Sequence, residues 1–185
     1  VTKHEKIAWI SERKKAPDEQ LMSTTQPGYE EYIMQIETLR DVLQWTGDYH
    51  RYLAECTRHC ANQQLNQRAQ LLLNYLSEHE KTLSTVLDAY EATADPHALN
   101  TWCYEFFEKA PVKPHYHCDK PFAEMDTQEI IEAIENQHQQ LIALYQYLVG
   151  RADIPSAIEL LEQLTALEEH EAMRMAHEAN RLEDF

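Results

Sequence analysis

The chemistry this chain could do lies in its histidines and the carboxylates beside them. Residues 73–80 (LNYLSEHE) and 164–171 (LTALEEHE) align without a gap at an offset of 91, sharing two leucines and a Glu-His-Glu triplet. In each copy the histidine, His79 or His170, follows a leucine by three residues, which sets it on or beside the apolar face of a helix. His50 and His138 stand on two further apolar stripes, 88 residues apart. Each of four predicted helices therefore brings one histidine near its middle. The intervals from His50 to His79 and from His138 to His170 are 29 and 32 residues. A hairpin rising about 1.5 Å per residue returns to its starting height over such a span, so the four imidazoles are expected in one layer of the core.

Four neutral imidazoles in an apolar layer each need a hydrogen-bond partner, whereas one or two divalent ions would take their lone pairs directly. The alternative is four core histidines bonded to tyrosines, of which the chain has ten. Glu80 and Glu171 follow His79 and His170 and lie about 100° further round each helix, near the inner leucines, where either could bind or bridge a metal. Glu135 precedes His138 by three residues, a Glu-x-x-His spacing that lets both side chains reach one ion from one helix face. The expected metal ligands are thus His50, His79, His138, His170, Glu80, Glu171 and Glu135. Against each single carboxylate stands the solvated neighbour that any acidic protein supplies. Tyr49, Tyr75 and Tyr145 are candidate redox neighbours.

The elements that would position these groups are helical. Only 3 glycines occur in 185 residues, and Ala, Leu, Glu and Gln dominate, which is the usage of an all-α chain. Residues 1–28 read as an arm or short helix. A first long helix is expected from Tyr29 to about Cys60, and a second from about Asn66 to Ala92. Asp95-Pro96 starts a short helix over 98–110 that would present Trp102, Phe106 and Phe107 to the body. Pro111, Pro114 and Pro121 keep the chain extended until the capping signal Asp126-x-x-Glu129. A third helix then stops at Gly150, and a fourth runs from about Ser156 to Asn180, carrying Ile158, Leu161, Leu164, Leu167 and Met173 inward. Two antiparallel hairpins joined by a long crossover, residues 95–126, make a four-helix bundle over 29–182.

With 16 Lys+Arg against 32 Asp+Glu the formal charge is −16, which repels phosphate backbones and anionic lipid. Nucleic acid and membrane surfaces are therefore not expected partners. No stretch has the roughly 18 apolar residues of a membrane span, and a cytoplasmic protein is the expectation. A homodimer is compatible with the sequence.

With two hairpins, a long crossover and Glu/His motifs repeated between halves, the chain resembles the ferritin-like, rubrerythrin-type superfamily over residues 29–92 and 127–182. The resemblance implies a di-iron or di-manganese carboxylate centre that handles oxygen, peroxide or iron. Two iron ions are the cofactor it implies, with manganese or zinc as alternatives. The chain departs from that pattern in having Leu76 and Leu167 three residues before His79 and His170, and no rubredoxin-like Cys-x-x-Cys pairs. Asp48-Tyr49-His50-Arg51 and Glu135-Asn136-Gln137-His138 are similar to segments of hemerythrin-like domains, which place histidines on all four helices. There the departures are Leu83 and Arg174, four residues after His79 and His170.

Cys56, His59 and Cys60 end the first helix, and His115, His117 and Cys118 lie in the crossover. If the crossover returns to that end, these groups could offer a zinc site; otherwise they are buried thiols and surface histidines. No phosphate loop, nucleophile elbow or paired Cys-x-x-Cys occurs. Three function classes follow: a non-haem metal protein acting as an oxidoreductase on oxygen, peroxide or iron, a metal-binding protein without turnover, and a metal-free helical interaction protein.

Overall fold

The computed structural model describes residues 36–103 and 121–183. They form α1 (Leu39–Ala61), α2 (Gln67–Thr93), the one-turn α3 (Pro96–Leu99), a 3-10 turn at Phe122–Glu124, α4 (Thr127–Val149) and α5 (Pro155–Glu183). Helix α1 packs along α2 and α4 along α5, two hairpins consistent with a four-helix bundle. No helix among the described residues is long and apolar enough to cross a membrane.

Local chemistry fixes where the helices begin. Helix α1 starts ten residues later than its periodicity suggests, because Thr38 and Asp41 form a capping box: Thr38 Oγ1 accepts from the Asp41 N–H, and Asp41 accepts from the Thr38 N–H at 3.0 Å. Asn66 caps α2 by accepting from the Arg68 and Ala69 amides. Asp126 and Glu129 form the expected capping box on α4. Asp95 caps α3 with Pro96 at its first position, as expected, but α3 ends at Leu99. Trp102 consequently does not face the body. It is 72% exposed, and its backbone bridges Thr38. Phe106, Phe107 and the histidines His115 and His117 lie outside the described residues, as does Cys118.

Two contacts define how the hairpins are threaded. The Gln64 side-chain amide donates to the carbonyls of Phe122 (3.4 Å) and Met125 (2.9 Å), so α4 begins beside the α1–α2 turn. Ser156, at the start of α5, stands beside Asp95, just past the end of α2, where α3 packs against α5. Helices α2 and α4 therefore run parallel, as a long crossover requires.

Each helix buries one stripe at steps of three and four residues. On α1 it passes through Leu39, Leu43, Thr46, His50, Leu53, Thr57 and Cys60. On α2 it passes through Ala69, Leu73, Leu76, Glu80, Leu83 and Leu87. On α4 it is Ile130, Ile134, His138, Leu141, Tyr145 and Leu148. On α5 it is Leu161, Leu164, Glu168, Glu171 and Met175. Met173, expected on that face, is exposed because it is two residues out of phase. The stripe hydroxyls are satisfied locally: Thr46 and Thr57 donate to the carbonyls of Val42 (3.0 Å) and Leu53 (2.7 Å).

Candidate metal centre

At mid-height each of the four stripes contributes an ionisable side chain to one cluster: His50 on α1, Glu80 on α2, His138 on α4 and Glu168 on α5. All four side chains are completely buried. They close into a ring. His50 places Nδ1 2.7 Å from Glu80 Oε2 and Nε2 3.0 Å from Glu168 Oε1. His138 places Nδ1 2.7 Å from Glu168 Oε2 and Nε2 3.0 Å from Glu80 Oε1. The imidazole centroids are 5.4 Å apart. Ligand atoms of His50, Glu80 and His138 lie within 4.8 Å of one another, close enough for one ion.

The ring has an approximate twofold relation. His50 and His138 differ by 88 positions, and so do Glu80 and Glu168. The more conspicuous Glu-His-Glu repeat, at an offset of 91, is three residues out of register with it. Its histidines therefore fall in unlike places. His170 is exposed on the surface of α5, and His79 is buried beside the ring, where its Nε2 meets Glu171 Oε2. Neither of those two atoms has a well-directed hydrogen bond among the described residues. At the offset of 88, His79 and Glu171 correspond to Leu167 and Leu83, so this polar pair occurs on one side of the ring only.

The four-histidine layer expected from the sequence is thus replaced by two histidines and two glutamates. Of the expected ligands, His50, His138 and Glu80 meet in the ring. His79 and Glu171 form a pair adjoining it, and His170 lies apart. Glu135 is half-buried one turn from His138, and among the described residues no hydrogen bond or ion pair joins it to the ring. The residue missed is Glu168. Its signal was the offset between His50 and His138, which carries Glu80 onto Glu168.

The charges of the ring follow from its contacts. Burial alone would push His50 and His138 toward neutrality. The carboxylates of Glu168 and Glu80 outweigh it and raise His50 to about 9 and His138 to about 10. Burial likewise opposes ionisation of Glu80 and Glu168, but the two histidines hold both carboxyls down at about 2. At neutral pH the ring is therefore two imidazoliums and two carboxylates, with no net charge, and all four N–H groups and all four oxygens are paired. His79 behaves differently. Desolvation outweighs the attraction of Glu171, with Arg174 adding to the effect, and its pKa is lowered.

The aromatic surroundings are uneven. Tyr49 stands edge-on to His50 with centroids 6.2 Å apart, and its hydroxyl donates to Gln137 Oε1. Tyr75 stacks on His79 at 5.6 Å. Tyr145 is completely buried, and its hydroxyl has no well-directed hydrogen bond among the described residues. Desolvation, and then the charge of Glu168, raise its pKa well above 10.

What the arrangement offers chemically is a buried layer of two imidazoles and two carboxylates, one from each long helix, in which His50, Glu80 and His138 could hold a metal ion. Comparison of the chain with known protein families, with curated proteins and with solved structures finds no match.

Proposed function

We propose that the His50–Glu80–His138–Glu168 ring is a binding centre for a divalent transition metal, and that the protein is a non-haem metal protein of oxygen, peroxide or iron handling. The observation that carries this reading is geometric, the convergence of buried ligand atoms of His50, Glu80 and His138 within 4.8 Å of one another, and the ring's charge agrees with it. Replacing the two imidazolium protons by one divalent cation leaves two neutral imidazoles, two carboxylates and the same net charge of zero. The exchange therefore adds no uncompensated charge to a buried layer, where such a charge would be costly. A mixed imidazole and carboxylate donor set suits iron, manganese or zinc. Each histidine would give one ring nitrogen to the ion and keep the other on a carboxylate, the arrangement that orients metal-bound histidines. When bound, iron or manganese would supply one-electron chemistry with oxygen or peroxide.

The charge count favours one ion in the ring. A second would fall to His79 and Glu171, where one carboxylate is available and Arg174 Nη1 already stands 3.3 Å from it. A metal-free reading is favoured by a different observation, the complete pairing of the ring atoms. On that reading the ring is a charged cross-link in a helical interaction protein.

Metal analysis of protein purified without an affinity tag separates the two. The metal reading expects about one equivalent of iron, manganese or zinc, in the isolated protein or after anaerobic loading, and a loss of most of it in His50→Gln/His138→Gln. A negligible content that stays negligible after loading would sink it. Peroxide-dependent oxidation of bound iron, followed optically, then tests the proposed activity.

A further inference from the structure

A second cluster of ligand-type side chains sits where α1 ends. Cys56 and Cys60 are four residues apart in its last two turns, Cys56 half-buried and Cys60 buried. Ten residues separate Cys60 from His50, about 15 Å along the helix, so the cluster is separate from the ring. The two thiols lie one turn apart on one face of α1, and the backbone of Phe122 and Ala123 stands beside the Cys60 thiol at the end where Gln64 holds that segment.

The surrounding backbone is held on both sides. Gln64 grips the carbonyls of Phe122 and Met125, and the Cys60 carbonyl accepts from the amides of Gln63 and Gln64, both at 3.0 Å. Cys60 is thereby drawn down to about 6, by the Cys56 hydrogen bond first, against burial, and then by the Ala123 N–H, His59 and the Phe122 N–H. Cys103 shows the contrast. It is also buried but has no such donors among the described residues, and desolvation, then Asp41, push it up to about 12.

We propose that Cys56 and Cys60 form a chelating dithiolate that takes one thiophilic divalent cation of the zinc class. The helix itself decides against the other use of a thiol pair. Side chains at positions i and i+4 have β-carbons about 5–6 Å apart, whereas a disulfide needs about 3.5–4.5 Å. Joining the sulfurs would mean opening the last turn. A zinc ion with two bonds of about 2.3 Å and tetrahedral angles holds its sulfurs about 3.8 Å apart, which an intact turn supplies. The peptide N–H groups would stabilise the bound thiolate as they do the free one. Water or a further donor completes the four-coordinate shell.

The test uses the full chain and cadmium(II) as the probe. The ring contains no sulfur, so a thiolate-to-cadmium charge-transfer band in the ultraviolet reports cysteine ligands and not the proposed metal centre, and the cysteine variants assign it among the four cysteines. The expected result is a band that saturates at one equivalent, survives Cys103→Ser and is bleached by excess zinc. It should disappear in Cys56→Ser/Cys60→Ser at unchanged helicity. If that double variant unfolds, the single Cys56→Ser, at the half-buried position, should weaken cadmium binding at least tenfold. Absence of the band in the wild type, or its persistence in the cysteine variants, overturns the proposal.

Discussion

Glu80 touches His50 with one carboxylate oxygen and His138 with the other, at 2.7 and 3.0 Å, so a single side chain of α2 links α1 to α4 through the centre of the bundle. Glu168 makes the same two contacts from α5. The hairpins are thus joined by four charged groups that no water reaches.

Such a ring is intolerant of single deletions. Glu80→Ala leaves two buried imidazoliums facing one carboxylate, and the loss of stability expected for breaking a buried pair is about 3–5 kcal/mol. Replacing all four members together by leucine removes the desolvation cost along with the attraction, and is expected to be neutral or stabilising. Urea denaturation of the metal-free proteins checks both. A Glu80→Ala variant as stable as the wild type would mean that the ring carries no charge.

The metal-free protein should be most stable, as far as the ring contributes, between about pH 4.5 and 6.5. His50 and His138 are raised from 6.5 to about 9 and about 10, so their contribution is complete below 6.5 and is lost as pH rises through those values. Glu80 and Glu168 are lowered from 4.5 to about 2, so theirs is complete above 4.5 and is lost as pH falls toward 2. The four-leucine variant should lack both limbs in a comparison of denaturation midpoints across pH.

Binding of one divalent ion at pH 7 should release two protons, one from each imidazolium, and affinity should rise with pH. Calorimetric titration with iron(II) or zinc(II) in buffers of different ionisation enthalpy counts the protons. Release of none would place the ion elsewhere than the ring.

Tyr145→Phe removes a buried hydroxyl that has no well-directed hydrogen bond, and should raise stability by about 1 kcal/mol. His170→Ala, on the exposed face of α5, should change stability by less than about 0.5 kcal/mol and leave metal content unaltered. Thermal and chemical denaturation of the two variants, with metal analysis of the second, are sufficient checks.

The helices and their hairpin pairing were legible because the apolar steps of three and four residues run almost unbroken through them. Two kinds of information were not. The start of α1 depends on the hydrogen bonds between Thr38 and Asp41, which override an apolar periodicity that continues upstream. The identity of the buried carboxylates depends on helix phase to within one residue. In Glu168-Glu169-His170-Glu171, the similarity to residues 78–80 drew the alignment to the wrong register, while Leu161 and Leu164 point to Glu168 and Glu171 as the buried positions. A literal sequence repeat and a structural repeat differ here by three residues, nearly one helical turn.

That structural repeat bears on the protein's construction. A twofold operation carries His50 onto His138 and Glu80 onto Glu168, so a single α1–α2 hairpin already holds half the ring with both kinds of charge. Two identical hairpins meeting face to face would close the same ring without a crossover. The crossover makes that pairing intramolecular and frees the halves to diverge. Leu83 and Leu167 on one side, answered by Glu171 and His79 on the other, mark where equivalence between the halves has been given up.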